Sequence, residues 1–302
     1  NMSNLPIAEL AALAAAVCWT FTAILAAPGV HHFGAVAFNR YRVVFAGTVL
    51  IIITSIMGLW SSVPNNAMLA LIGSSLVGIV IGDTALMQAL KRIGPRRNSV
   101  LFATSAPMAA GMGFIWLGET LSTNLLIGCG LILLGVVNAV WWGRKNEGQH
   151  RLEKVSGHLG WGILIGLTAA FGQAAGAVLA KPVLLAGADP IAASAIRVGF
   201  AAVVLLLVRA LPFAWAKANA APTPAFVWRT MSSATLGLVL GMTLLVYALG
   251  RGEVGIVMTL SAITPVIILP VVWFITGQRP SRGAWLGAAL VVVGSSVIFL
   301  NS

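Results

Sequence analysis

Long apolar runs separated by short polar connections dominate this chain. A bilayer core needs roughly 20 apolar residues per helix. Runs of that length, broken at charges, Pro and Gly clusters, fall at about 7–27, 34–57, 67–90, 98–117, 122–142, 157–180, 190–210, 230–250, 254–276 and 282–300. The one connection of appreciable polar length, GRKNEGQHRLEKVSGH at 143–158, sits at the midpoint and divides five runs from five. The expected organisation is all-α and membrane-embedded: a first five-helix unit over 1–142, a connecting loop over 143–156 and a second five-helix unit over 157–302.

The two halves are related to each other. At an offset of 159, GIVIGDTALMQALKR (78–92) lies over GLVLGMTLLVYALGR (237–251) with 8 of 15 positions identical, against about two expected for so biased a composition. Gly118, Ser122, Gly128 and Gly135 match Gly277, Ser281, Gly287 and Gly294 at the same offset, and Pro107 matches Pro265 after a slip of one residue. Arg42 pairs with Arg197 in similar settings, NRYRVVFA and SAIRVGFA. Five is odd, so the second unit enters the bilayer from the opposite side, and equivalent connections should carry opposite charge bias. They do: 13 of the 18 Lys and Arg fall on the side of the central loop, and two, Lys181 and Arg251, on the other. The remaining three, Arg40, Arg42 and Arg197, lie just inside apolar runs. The positive-inside rule then puts the central loop in the cytoplasm and both termini outside.

Composition narrows the classes. With 59% hydrophobic and 8% charged residues and a mean hydropathy of +0.98, the chain is far from a soluble balance of about 25% charged residues. Its net charge of +11 belongs to membrane orientation, so no nucleic-acid partner is expected. Cys18 and Cys129 lie in separate apolar runs, with neither disulfide nor metal spacing. All four histidines, His31, His32, His150 and His158, fall in or beside connections, which argues against an intramembrane enzyme. No metal or cofactor is called for. The first run has no basic region ahead of it, so no cleaved signal peptide is expected.

Inverted repeats are the architecture of secondary transporters, with the site near the midplane between halves. Of the seven acids only Asp83 lies well inside a run, and an ionisable group in lipid marks either a transport cavity or a packing hydrogen bond. Met87, four residues on, shares its helix face. Trp60, Trp141, Trp142, Trp161, Trp215, Trp228 and Trp285 lie near helix ends and suit an aromatic belt. Trp19 is mid-helix in AAVCWTFTAIL, facing lipid, core or a substrate path, and Gln173 in FGQAAGAVLAKP stands roughly opposite it, with Phe171 nearby. Pro107 in ATSAP and Pro265 in SAITP interrupt helices. Each frees a carbonyl, Ala103 and Ser261, that the adjacent Thr104, Ser105 or Thr264 could satisfy. The pair reads either as packing kinks or as hinges flanking one cavity.

Ten helices in two inverted repeats, the mid-helix Trp of AAVCWTFTAIL, the ATSAP and SAITP segments, and the GET and GQR turns each followed by a Gly-rich helix resemble the drug/metabolite transporter (DMT) superfamily, EamA type. The resemblance covers nearly the whole chain and is nearest to the YddG-type exporters of aromatic amino acids. It implies a carrier of the bacterial inner membrane with a central cavity lined by helices 1, 3, 4, 6, 8 and 9. It also implies Trp19, Asp83, Met87, Phe102, Phe171, Gln173 and Tyr247 as lining groups. A monomer in the lipid bilayer is expected. Family members commonly hold both termini in the cytoplasm, whereas the charge count favours the reverse. The expected function is export of aromatic and other apolar amino acids, or similar small amphipathic metabolites, by alternating access. A multidrug or other-metabolite exporter of the same superfamily, and a non-transporting membrane scaffold, are the alternatives.

Overall fold

A computed structural model of the chain describes residues 7–120, 122–142, 156–277 and 279–299. The connecting segment at 143–155, with Arg144, Lys145, His150, Arg151 and Lys154, lies outside the described residues, as do Gln278 and the side chains of Trp141 and Trp142. The described elements are helical, with no strand among them. Seven helices are long and apolar enough to cross a membrane: α1 (Ile7–Phe33), α2 (Ala35–Met57), α3 (Asn65–Phe102), α6 (Leu159–Leu185), α7 (Pro190–Ala210), α8 (Pro224–Leu249) and α9 (Val254–Thr276). Three shorter apolar helices complete the order: α4 (Ser105–Leu117) after α3, α5 (Thr123–Trp142) before α6 and α10 (Arg282–Phe299) at the end.

The helices bury small residues and turn large apolar ones outward. The interior is rich in fully buried alanines such as Ala12, Ala15, Ala16, Ala177 and Ala248, while Phe274 is 93% exposed, Ile56 81% and Leu69 80%. Such a surface suits hydrocarbon, and small residues let helix backbones approach closely enough for dispersion contacts to hold them together. Trp60, Trp161, Trp215, Trp228 and Trp285 are likewise exposed.

Glycine decides where backbones touch. A Cβ on Gly172 of α6 would lie 2.7 Å from the Cα of Gly82 in α3, and one on Gly176 would lie 2.9 Å from Gly78 Cα. On α8, Gly237 and Gly241 give the same room to Thr22 and Trp19 of α1. Helices α5 and α10 pack along their length, with Gly135 against the Gly287 carbonyl and Gly294 against the Gly128 carbonyl. Of these, Gly78, Gly82, Gly128 and Gly135 recur as Gly237, Gly241, Gly287 and Gly294 at the offset of 159, whereas Gly172 and Gly176 do not. The recurring segments also share local geometry: α3 widens into π-type turns over Leu76–Asp83 and α8 over Thr235–Gly241. Gly118 and Gly277, the first residues of the GET and GQR turns, both have φ 68°, a left-handed helix end that glycine adopts without a Cβ clash.

Two details depart from the sequence reading. Lys91, Arg92, Arg96 and Arg97 were expected in a connection; the chain does turn between them, but without a loop, so the bases stand on the helical arms to either side. Helix α3 is broken only at Gly94, whose φ of 78° and ψ of 168° reverse the chain. Asn98 Nδ2 donates to Leu86 O at 3.4 Å, although twelve residues of straight helix would separate them by about 18 Å. Arg96 and Arg97 are therefore buried at the turn.

The prolines, second, do not kink continuous helices. Regular α-helix ends at Phe102 and resumes at Ser105, and within α9 it is interrupted between Ser261 and Thr264. Pro107 and Pro265 thus stand in the first turn of a new segment, where a missing N–H costs little. Ala103 O accepts from the Ala106 N–H at 3.2 Å, while Ser261 O accepts from the Thr264 hydroxyl at 3.4 Å.

Gly172→Val should lower the thermal midpoint of the purified protein, since overpacking of a tight contact costs about 1–3 kcal/mol. Gly111→Val, with open space around its Cβ position, should leave the midpoint within a degree or two of wild type. Equal midpoints for the two variants would show that the α3–α6 crossing has slack.

Candidate functional site

Asp83 ends the wide turn of α3, and its neighbours explain how a carboxylate is held there. Arg42 of α2 donates from Nη1 to Asp83 Oδ2 at 3.0 Å, with side-chain exposures of 2% and 12%. Asn39, one helical turn before Arg42, completes the set when its amide donates to Asp83 Oδ2 at 2.6 Å and accepts from the Thr84 hydroxyl at 3.0 Å. That amide orientation follows from the hydrogen-bond network. Asp83 Oδ1 has no protein donor among the described residues. The Arg42 guanidinium finds room because the facing position on α8 is Gly237, where a Cβ would come within 2.8 Å of Nη2.

Beside this pair lies a narrow cavity of about 60 Å³, smaller than the usual small-molecule site, so a substrate would have to widen it. Its polar wall is Arg42, Asp83, Asn98, Ser99 and Gln173; its apolar wall includes Trp19, Met87, Phe102 and Met242. Trp19 is fixed twice. Its indole N–H donates to Gly237 O at 3.1 Å, and its ring meets Phe102 edge to face with centroids 6.0 Å apart. Phe102 is the last residue before the break at 103–104, which sets its direction. Gln173 is buried yet its amide has no hydrogen-bond partner among the described residues, and Asn98 Oδ1 is also without one. The cavity thus offers aromatic surface, a neutralised charge pair and unsatisfied amide groups.

The lining residues run from mid-bundle toward the end where the chain turns at Gly94. At the opposite end an ion pair ties segments together. There Glu119, just after α4, accepts from Lys181 Nζ of α6 at 2.8 Å and from the Val254 N–H at the start of α9 at 2.9 Å. Lys181 also donates to Gly252 O at 2.6 Å. A carboxylate at a helix N-terminus is favoured by the helix dipole, so Glu119 joins three segments in one clasp.

Comparison with known proteins gives the class. The EamA-like transporter family matches this chain over residues 6–141 and again over 160–300. The chain belongs to the EamA-like transporter family. It is 33% identical over 91 residues to a WAT1-related protein of Arabidopsis thaliana, a match spanning 30% of this chain and 24% of that protein. It is 24% identical over 148 residues to an uncharacterized transporter of Clostridium kluyveri, spanning 48% and 46% of the two chains. The chain therefore spans less than half the length of the curated relatives it matches. One solved crystal structure superposes on 97% of this chain and 96% of its own at a TM-score of 0.75; with 18% identity the likeness concerns the fold alone.

Within this EamA-like chain, Trp19, Asp83, Met87, Phe102 and Gln173 stand around one cavity, and two expected residues do not. Phe171 is half-exposed on the outer surface. It is two positions from Gln173, about 200° around the helix, so the two side chains cannot face the same way. Tyr247 lies toward the Glu119–Lys181 end, beneath the Arg251 guanidinium at 3.7 Å from its ring centroid, and is not among the lining residues. Arg42 is the main residue the sequence reading passed over as a site residue. Its signal was present, since an arginine seven positions into an apolar helix must be buried with a partner. Lys181, read as a connection base, is buried inside α6. Among the described residues no three His, Cys, Asp or Glu side chains converge on a possible metal position.

Removing one member of a buried ion pair leaves an uncompensated charge, at a cost of about 3–5 kcal/mol, whereas replacing both is far milder. Arg42→Met should therefore lower the thermal midpoint more than the double variant Arg42→Met/Asp83→Leu. A double variant no more stable than the single one would show that the pair is not the electrostatic unit described.

Proposed function

We propose that the protein is a secondary transporter exporting aromatic and other apolar amino acids, or similar small amphipathic metabolites, across a bacterial inner membrane by alternating access. The observation that carries this reading is the cavity in which a charged pair and free amides face Trp19 and Phe102, with the Glu119–Lys181 clasp at the end of the bundle away from the Gly94 turn. A flat apolar side chain suits the aromatic wall, and an ammonium and carboxylate suit the polar one.

On this reading the chain crosses the membrane ten times as two inverted five-helix repeats. The arms of α3 on either side of Gly94 serve as separate crossings, the second continuing through α4. The sequence repeat, the paired wide turns and the paired left-handed glycines support it. The base-rich end is the cytoplasmic one, which leaves the cavity open inward and the Glu119–Lys181 clasp sealing the outer side. The segments beginning at Ser105 and Thr264 act as hinges when the clasp opens, with Pro107 and Pro265 fixing their first turns.

Counterflow into proteoliposomes tests this directly. Labelled phenylalanine should accumulate against unlabelled Phe, Trp or Tyr at least tenfold better than against Glu or Lys. Competition by Phe, Trp and Tyr no stronger than by Glu or Lys would exclude the aromatic-exporter reading.

A further inference from the structure

Arg197 of α7 is 1% exposed, as deeply buried as Arg42. The sequence repeat sets these two arginines opposite each other and sets Asp83 opposite Met242. The structure keeps the correspondence at the level of contacts. Arg42 Nη1 reaches Asp83 at 3.0 Å, and Arg197 Nη1 reaches Met242 Sδ at 3.4 Å. Each guanidinium also lies against the glycine of the opposite half, Gly237 for Arg42 and Gly78 for Arg197. The charge-bearing difference between the two sites is a carboxylate in the first and a thioether in the second.

The difference leaves a charge unbalanced. Away from the basic end, Arg42 is neutralised by Asp83 and Lys181 by Glu119, while Arg197 has no carboxylate within ion-pair distance among the described residues. Its Nε, like that of Arg42, has no partner among the described residues. A thioether is a weak acceptor, and a guanidinium buried without an anion is costly. Something with negative charge would lower that cost.

The route to it is short. Met242 touches Arg197 and lines the cavity at the same time. A methionine has three rotatable side-chain bonds and repacks readily, so one flexible side chain separates the cavity from an unpaired cation. We propose that Arg197 is the carboxylate-binding group of the transport site, reached when Met242 turns aside. This deepens, and rests on, the reading of the cavity as an amino-acid site. Arg42 is unsuited to the task because Asp83 already occupies it. Met242 acts as a plug that keeps the cation covered until a carboxylate arrives.

The test uses the full chain in nanodiscs and three probes: L-phenylalanine, 3-phenylpropionate, which lacks the ammonium, and 2-phenylethylamine, which lacks the carboxylate. Arg197→Gln should weaken binding of the first two at least tenfold and leave 2-phenylethylamine within twofold of wild type. Met242→Asp keeps Arg197 but supplies it with an internal carboxylate; it should raise the thermal midpoint and weaken the same two probes. This second variant carries the test if Arg197→Gln does not fold. Phenylalanine binding unchanged in both variants would overturn the carboxylate site and leave the amino-acid reading standing. Equal loss of all three probes would also overturn it, by marking Arg197 as structural. Wild-type binding of 3-phenylpropionate but not phenylalanine, lost in both variants, would support the site and overturn the amino-acid reading. Suppression of 3-phenylpropionate binding by chloride and not by gluconate would assign the position to an inorganic anion instead, against the proposal. Wild type binding none of the probes would overturn both.

Discussion

Charge buried in a lipid-embedded bundle has to be answered by charge, and the Arg42–Asp83 pair is where this protein meets that constraint. At 3.0 Å two unit charges attract by roughly 5 kcal/mol at an effective dielectric constant of about 20, while desolvation costs several kcal/mol per ion. The net gain is small, so stability alone is a poor reason to keep the pair. What the pair does is hold a polar wall in the middle of an apolar bundle. It needs Asn39 and Thr84 to complete it, the wide turn of α3 to aim Asp83, and Gly237 on α8 to make room for the guanidinium. The cavity beside it follows from those same requirements.

Close backbone contact supplies the rest. Glycines on α3 against α6, on α8 against α1, and on α5 against α10 set the helix crossings, and lipid tails leave packing as the main source of cohesion. Such crossings are rigid where glycine meets backbone and can shift where helices are broken. The breaks at 103–104 and 262–263 lie within the bundle, and the end opposite the Gly94 turn is tied by Glu119 with Lys181 and by the Asp189 N–H to Ser62 Oγ. The structure therefore combines fixed seams with two interrupted helices and one clasp, an arrangement suited to opening one end while the other closes.

Much of this was legible in the sequence, and what was not has physical causes. The seven long apolar helices followed from run length, and Asp83 and Trp19 stood out because neither a carboxylate nor a mid-helix tryptophan has an ordinary place in lipid. Arg42 was hidden because its partner lies on another helix, 41 residues away, and sequence spacing carries no signal across that distance. Phe171 was expected from its nearness to Gln173 and from the family resemblance, but helical periodicity puts it on the face opposite Gln173. The four bases around Gly94 looked like a connection because charge marks loops. A single glycine with positive φ made the turn and left them helical. The prolines were visible, but a proline in an apolar run reads the same whether it kinks one helix or opens the next.

The central claim is that the cavity beside the Arg42–Asp83 pair is the place where substrate sits during transport. It is tested most directly by substrate protection of a cysteine placed there. With Cys18 and Cys129 replaced by alanine, Met87→Cys in transport-active proteoliposomes should react with a small thiol reagent several-fold more slowly when phenylalanine is present. Phe171→Cys, on the outer face, should react at the same rate with or without it. Transport of phenylalanine with no protection at residue 87 would contradict the account.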